Sequence, residues 1–305
     1  MRSVTRGRFA PSPTGVLHVG NLRTAILAYV GAVATGGDFV VRIEDLDRAN
    51  SSFDHERSQV RDLRALDLEF DTAVVRQSDR FGVYDEVIAD LTDRGLTYEC
   101  FCSRREIREA ASAPHGALPD GAYPGTCRDL SSDEKRERAR AGRSPAVRLR
   151  TDGEEYELID SIRGPYRGTV DDVVLRRNDG VPAYNLAVVV DDAWQGVTQV
   201  VRGDDLLPST PRQIHLQRLL AYPTPEYAHV PLVLGADGER LAKRHGAVTL
   251  DDLAAIGESV DAVRDEMLAS LGLPAGSLTE AARGFDWSRI VKSPWTIPAR
   301  WQTRG

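Results

Sequence analysis

Two changes of hydrophobic period within the first 45 residues limit this chain more than any other feature. Residues 3 to 10 end in the apolar pair Phe9 and Ala10 and read as a short strand. Leu22, Ala25, Ile26, Tyr29, Val30 and Val33 then recur at helical spacing. Gly36 and Gly37 stop that helix. FVVRIED, residues 39 to 45, follows as a strand rich in β-branched residues. Strand, crossover helix, strand implies parallel pairing and an α/β fold.

Polar helices are expected around 54–67 and 79–94, with Gly95 as a stop and LTYECF, 96 to 101, as a strand. Ser103 with Glu106, and Ser131 with Glu134, fit helix capping boxes on either side of a loop rich in Ala, Pro and Gly. Residues 146 to 201 read mostly as strands, with a turn at Asp179-Gly180. A helix over 209–222, a strand over 229–235, a basic loop over 238–250 and helices over 251–272 follow, and the tail after 280 has little periodicity. The α/β pattern opens, breaks near residue 100 and resumes near 197. That predicts a Rossmann-type domain in two halves, 1–99 and 196–250, around an insertion over 100–195, with a helical C-terminal region over 251–305.

The net charge of -7 argues against an indiscriminate nucleic-acid coat, although local patches can still hold RNA. No apolar run approaches the roughly 20 residues needed to span a bilayer, and MRSVTRGRF lacks the apolar core of a signal peptide. A cytoplasmic protein is expected, and nothing in the sequence asks for an obligate dimer, so a monomer is expected too. The three cysteines, Cys100, Cys102 and Cys127, are an odd number in such a chain and argue against a disulfide framework.

Between the first strand and helix lies RFAPSPTGVLHVGN, residues 8 to 21. A proline-fixed turn into a helix N-terminus makes an anion site, where backbone N–H groups and the helix dipole point outward. Gly20 would let a ligand approach the backbone, and His18 can donate to a phosphate. The blander alternative is that Gly20 and Asn21 simply cap a helix. RLAKRH, 240 to 245, sits between Gly238 and Gly246 and is suited to closing over a polyphosphate; the alternative is a solvated charge run.

Together the two stretches resemble the paired signatures of the class I aminoacyl-tRNA synthetases. LHVGN is similar to the first, usually written HIGH, and RLAKR to the second, usually written KMSKS. RFAPSPTG followed by RIEDLD, 42 to 47, narrows the resemblance to the glutamyl branch, and it extends over essentially the whole chain. Complete glutamyl enzymes carry a further, mostly helical anticodon-binding region. This chain resembles the shortened paralogues of the branch, which activate glutamate without tRNA and attach it to the queuosine base in the anticodon loop of tRNA(Asp). Two alternatives stand beside that: a truncated discriminating glutamyl-tRNA synthetase, and a non-catalytic zinc- and RNA-binding module.

The resemblance implies roles for individual residues. Arg8 and Arg202 contact glutamate, and arginine suits a carboxylate because its donors form a planar fork. Ala10 to Ser12 contribute, Glu44 binds the α-ammonium and Tyr184 lines the pocket. His18, Gly20, Asn21 and Lys243 serve ATP, with His18 and Lys243 stabilising charge on the phosphates and Mg²⁺ accompanying the nucleotide. Asn21 replaces the second His of HIGH, keeping a donor but not a charge. Arg240, Ala242 and Arg244 depart from KMSKS, keeping charge but losing a hydroxyl.

Three neighbouring thiols suit Zn²⁺, which takes four ligands. The family carries a C-x-C…Y-x₃-C zinc site here, and Tyr123 with Cys127 has that spacing. Tyr123 is the expected fourth ligand of a structural zinc, with His115, in the same loop and chemically the more usual donor, as the alternative. Arg104, Arg105 and Arg108, and the denser group Lys135, Arg136, Arg138, Arg140 and Arg143, are candidate RNA contacts. For the second group a solvated helical face with ion pairs such as Glu134 with Arg138 is an equal alternative.

Overall fold

The computed structural model describes residues 5–71, 73–103, 105–107, 122–235, 238 and 248–301. The expected opening unit forms as β1 (Arg6–Phe9), α1 (Val19–Val33) and β2 (Asp38–Ile43), and β1 pairs with β2 in parallel, Arg8 beside Val40. Leu22, Ala25, Ile26, Tyr29 and Val30 are all buried on α1. Two glycines let α1 come close. A Cβ on Gly7 of β1 would lie 2.8 Å from Ala32 Cβ, and one on Gly31 would lie 2.6 Å from the Trp287 ring.

Helices α2 (Phe53–Ala65) and α3 (Phe81–Asp93) follow, with the two-residue strand β3 (Val75–Arg76) between them. After β4 (Thr97–Cys100) come α4 (Ser132–Arg140) and β5 (Ala146–Leu149). Next are the hairpin β6 (Glu155–Asp160) and β7 (Gly164–Thr169), then β8 (Val174–Arg176). Strands β4, β5 and β8 make an antiparallel sheet of their own.

Residues 184 to 194, read from the sequence as strand, form the helix α5 (Tyr184–Trp194). The β-branched run Val188, Val189 and Val190 suggested a strand, but burial of all three against Leu175 and Leu216 in one apolar cluster favours the helix. Strand β9 (Gln199–Gly203), helix α6 (Thr210–Leu219) and strand β10 (Glu226–Val230) complete the main sheet. Its order is β10-β9-β1-β2-β3, with every pairing parallel. The chain thus winds from β1 to one edge and later returns to the other side of β1. Crevices at such switch points, beyond the carboxyl ends of the strands, are where open α/β sheets take ligands.

The remainder holds β11 (Val233–Leu234), α7 (Leu250–Ala255), α8 (Val260–Ser270), α9 (Leu278–Ala282) and β12 (Trp295–Thr296). The tail without periodicity is nonetheless built into the main core. Strand β12 pairs with β11, and Ile290, Ile297 and Trp301 are buried with α1, Trp301 completely. Ile290 and Trp301 reach the core from the ends of short 3₁₀ segments and Ile297 from just past β12, so they share no regular spacing. Among the described residues no helix is long and apolar enough to cross a membrane.

Candidate active site

The proline-rich turn is held by the segments that follow β2. Pro11 O accepts from Glu44 N–H at 2.9 Å, and Pro13 O from Ser52 N–H at 3.0 Å. Gln59 of α2, which the sequence did not single out, donates to Ser12 O at 3.0 Å and to Gly15 O at 2.7 Å. Prolines lack the N–H that would compete for these carbonyls, so the turn is fixed from outside.

His18 is the N-cap of α1. Its Nδ1 accepts from Gly20 N–H at 3.1 Å, while Asn21 Oδ1 accepts from His18 N–H at 3.2 Å, a reciprocal capping box. The capping alternative is realised for Asn21 but not for Gly20, since the N-cap is His18, and the cap serves the functional reading. An Nδ1 that accepts puts the neutral ring's proton on Nε2, an edge that can donate to an anion. The expectation for Gly20 changes: a Cβ there would lie 2.9 Å from His18 Cε1, so the missing side chain makes room for the imidazole.

A cavity of about 600 Å³ opens at the carboxyl ends of β1, β2, β9 and β10, at the switch point. Arg8 and Ala10 border it from the end of β1, Ser12 from the turn and Glu44 from just after β2. His18, Gly20 and Asn21 enter at the start of α1, Tyr184 at the first turn of α5 and Arg202 from β9. Every expected glutamate- or ATP-contacting residue within the described segments thus meets in one space. Lys243, with Arg240, Ala242 and Arg244, lies outside the described residues.

Beneath the cavity runs a chain of charges that joins Arg8 and Glu44 to residues the sequence did not single out. Arg42 is fully buried. Its Nη1 donates to Asp192 at 2.7 Å and to Gln195 at 2.8 Å, and its Nη2 to Glu44 at 3.1 Å. Asp191 lies 3.8 Å from its Nε and accepts from Gln77, Arg80 and Tyr84 at 3.0, 2.8 and 2.7 Å. Arg8 Nη1 donates to Val201 O at 3.0 Å, and its Nε sits 3.7 Å from Asp192. Arg8, Arg42 and Arg80 so face Glu44, Asp191 and Asp192, an even balance that makes buried charge tolerable. Burial pushes the Glu44 carboxyl up, against the opposing pull of Arg42 and Arg8. The available signal was the pair Asp191-Asp192 inside the apolar helix sequence NLAVVVDDAW, since unpaired acids do not bury.

Arg202 is 5% exposed and is held on three sides. Its Nε donates to His229 Nε2 at 3.0 Å, Nη1 to Gln213 Oε1 at 2.7 Å and Nη2 to Thr210 Oγ1 at 2.8 Å. His229 sits beside it across the β9–β10 pairing, and its Nδ1 is 2.6 Å from Asp160 Oδ2.

The second cluster lies beside β4. The sulfurs of Cys100, Cys102 and Cys127 are all within 4.8 Å of one another. The Tyr123 hydroxyl is 3.3 Å from Cys100 Sγ and 3.6 Å from Cys102 Sγ, and accepts from Cys127 N–H at 2.9 Å. Three sulfurs and a phenol oxygen so close together suit a small thiophilic cation. Burial pushes the Cys102 thiol up to about 12 and the Tyr123 phenol well above its usual range. Burial also opposes ionisation of Cys127, but donors including the Phe101 backbone, Tyr123 and Arg138 outweigh it and hold its thiol below the usual range. His115 lies outside the described residues, as do Arg104 and Arg108.

The expected Glu134–Arg138 pair gives way to other partners. Glu134 turns back to cap Ser131, while Arg138 donates to Cys127 Sγ at 3.2 Å. Lys135 faces Glu99, Arg136 pairs with Asp133 and Arg143 with Glu106. Most of this basic group is thus neutralised by its own neighbours.

Comparison with known proteins agrees with this architecture. Residues 4–293 match the family described as tRNA synthetases class I (E and Q), catalytic domain. The chain belongs to that family and is a ligase of the class I synthetase type. It is 57% identical to the Glutamyl-Q tRNA(Asp) synthetase of Nocardia farcinica, over 95% of this chain and 92% of that one. It is 46% identical to the enzyme of the same name from Symbiobacterium thermophilum, over 96% of each chain. A solved glutamate tRNA ligase from Elizabethkingia meningosepticum, in complex with its amino acid, superposes with a TM-score of 0.81 at 27% identity. It matches 98% of this chain but 68% of that longer one.

Proposed function

We propose that this protein activates L-glutamate with ATP to glutamyl adenylate, releasing pyrophosphate, and transfers the glutamyl group, releasing AMP, to queuosine in the anticodon loop of tRNA(Asp) in the cytoplasm. The observation that carries the first half is the convergence of Arg8, Arg202 and Glu44 on one cavity beside the N-terminus of α1. Two buried guanidinium groups suit the two carboxylates of glutamate, and Glu44 suits its ammonium. The α-carboxylate is already a nucleophile, so no general base is needed. One of its oxygens attacks the α-phosphorus of ATP, and the bond to the β-phosphate bridging oxygen breaks. Holding the two substrates in line and stabilising phosphate charge is then the protein's work, by His18 Nε2–H and the α1 N-terminus, with Lys243 and Mg²⁺. The close relatives named for tRNA(Asp) support the second half. The halves 1–99 and 196–250 would form the catalytic body, with 100–195 and 251–305 facing the RNA.

Cys100, Cys102, Tyr123 and Cys127 would hold one structural Zn²⁺. The three sulfurs and the phenol oxygen fit such a site, and the ion would pin a segment with little apolar core of its own.

The test is glutamate-dependent ATP–pyrophosphate exchange by the full chain without tRNA, with Arg202→Ala alongside. Exchange that Arg202→Ala lowers by about 100-fold or more is the expected result. Exchange that appears only on addition of tRNA would favour a truncated glutamyl-tRNA synthetase. Its absence under all conditions would leave the zinc- and RNA-binding module.

A further inference from the structure

Arg202 is anchored by a hydrogen-bonded relay that reaches out of the main sheet. Asp160 ends β6, in the hairpin between the two halves of the sheet. Its Oδ1 accepts from the N–H groups of Ile162, Arg163 and His229 at 3.0, 2.8 and 3.1 Å. That leaves Oδ2 to face His229 Nδ1 at 2.6 Å. Both residues are buried, His229 completely.

An ionised carboxylate only accepts, so the proton between the pair sits on Nδ1. Nε2 of a neutral ring is then a bare lone pair. The structure uses it as one: Arg202 Nε–H approaches at 3.0 Å, with Thr210 Oγ1 at 3.3 Å. The opposite tautomer would set an N–H against the Nε–H of a buried cation. Arginine carries five N–H groups in a rigid plane. With Nε given to His229, and one N–H from each terminal nitrogen given to Gln213 and Thr210, one N–H is left on each terminal nitrogen.

We propose that His229, locked by Asp160 as the Nδ1–H tautomer, is a positioning residue for Arg202 that orients its two remaining terminal N–H groups to grip a substrate carboxylate. The inference rests on the reading that Arg202 holds glutamate. It adds that substrate affinity depends on a residue outside the cavity, and through Asp160 on the β6–β7 hairpin. Burial, with Arg202 alongside, opposes a charged His229, while Asp160 favours it; the net effect holds the ring below its ordinary value.

The KM values for glutamate and ATP in pyrophosphate exchange separate orientation from general damage. Asp160→Asn keeps an oxygen for the backbone donors but turns an amide N–H toward Nδ1, which forces the proton onto Nε2 and against Arg202. His229→Leu removes the acceptor. Both are expected to raise the glutamate KM about 10- to 100-fold, the value of a hydrogen bond to a charged group, while the ATP KM stays within about twofold. His229→Gln, which can place an oxygen near the Nε2 position, should recover most of the loss. ¹⁵N NMR of the unmodified protein should show Nδ1 protonated and Nε2 bare.

A glutamate KM unchanged in Asp160→Asn and His229→Leu, while Arg202→Ala still abolishes exchange, overturns the inference and leaves the reading of the cavity standing. An unchanged glutamate KM in Arg202→Ala overturns both. Equal rises in the two KM values also overturn the positioning role. If the variants do not fold, the native tautomer decides: a proton on Nε2 overturns the proposal and a bare Nε2 supports it.

Discussion

Helix α1 and the cysteine cluster are both buried, but in different company. Around α1, Leu22, Ile26 and Val30 meet Leu63, Met267, Leu271 and Trp301 in one extended apolar core. Among the described residues, the buried set around Cys127 is Tyr98, Cys100 and Tyr123, with Cys102, Ile107, Leu130 and Ala146 at its edge. At about 25 cal/mol per Å² of apolar surface, the first can hold a helix N-terminus and a cavity wall in place by burial alone. The second cannot, and its polar atoms converge on a point where a cation would sit. With a cation bound there, one chain would use two kinds of cohesion, area where it has apolar residues and coordination where it does not.

Cys127→Ser should break the second kind outright. Bound zinc, measured by atomic absorption on the purified full chain, should fall from about one equivalent to background. Hydrogen-exchange protection should be lost at β4 and β5 and kept along α1. Loss of protection in both places would mean that the two regions are not held separately. The converse variant is Gly31→Ala, whose methyl would meet the Trp287 ring at 2.6 Å. It should cost about 1–3 kcal/mol by overpacking, seen in urea unfolding, with zinc content unchanged.

Arg138→Met probes the cluster more gently. Removing the donor to Cys127 Sγ should weaken zinc about tenfold in a competition titration, and unchanged affinity would limit Arg138 to a surface role. The smallest effect is expected from pH. Burial holds His215 and His229 below the ordinary value of 6.5 in the folded chain. Below pH 6.5 the unfolded chain takes up protons that the folded one does not, so stability is full above 6.5 and falls on acidification. Melting temperatures should be level from about pH 7 to 8 and decline from about 6.5 to 5, with a shallower decline in His215→Gln. Zinc assayed across the same range separates this from protonation of the thiols; a decline that tracks zinc release would move the effect to the other region.

The opening strand–helix–strand unit was legible because it is local. Six apolar positions of α1 and a β-branched strand carry their period within a few turns of chain. The cavity residues were legible for another reason, since RFAPSPTG, LHVGN and RIEDLD resemble a known set of motifs. Neither route gave a role to Arg42, although it opens RIEDLD, or to Asp191, Asp192, Asp160 or His229. The last four have no motif around them, and the importance of all five comes from a partner far along the chain. Helix α5 was misread because a valine run suits a buried strand and a buried helix equally. Trp301 has no period to read because it reaches the core alone, at the end of a three-residue 3₁₀ segment.

By itself, the sequence determined the parallel α/β character, the stop at Gly36, the capping of α1 and α4 and the chemical kinds of residue available to the site. These follow from backbone sterics and from side-chain spacing over a few residues. Only the tertiary structure decided that Arg8, Glu44, Tyr184 and Arg202 face one cavity, that Arg42 ties Glu44 to Asp192, and that His229 offers Arg202 a lone pair. Residues 150 positions apart, such as Arg42 and Asp192, are brought within 2.7 Å only by the tertiary fold. A buried charge is stable only where the rest of the fold supplies its partner, so which charges matter is decided by the fold as a whole.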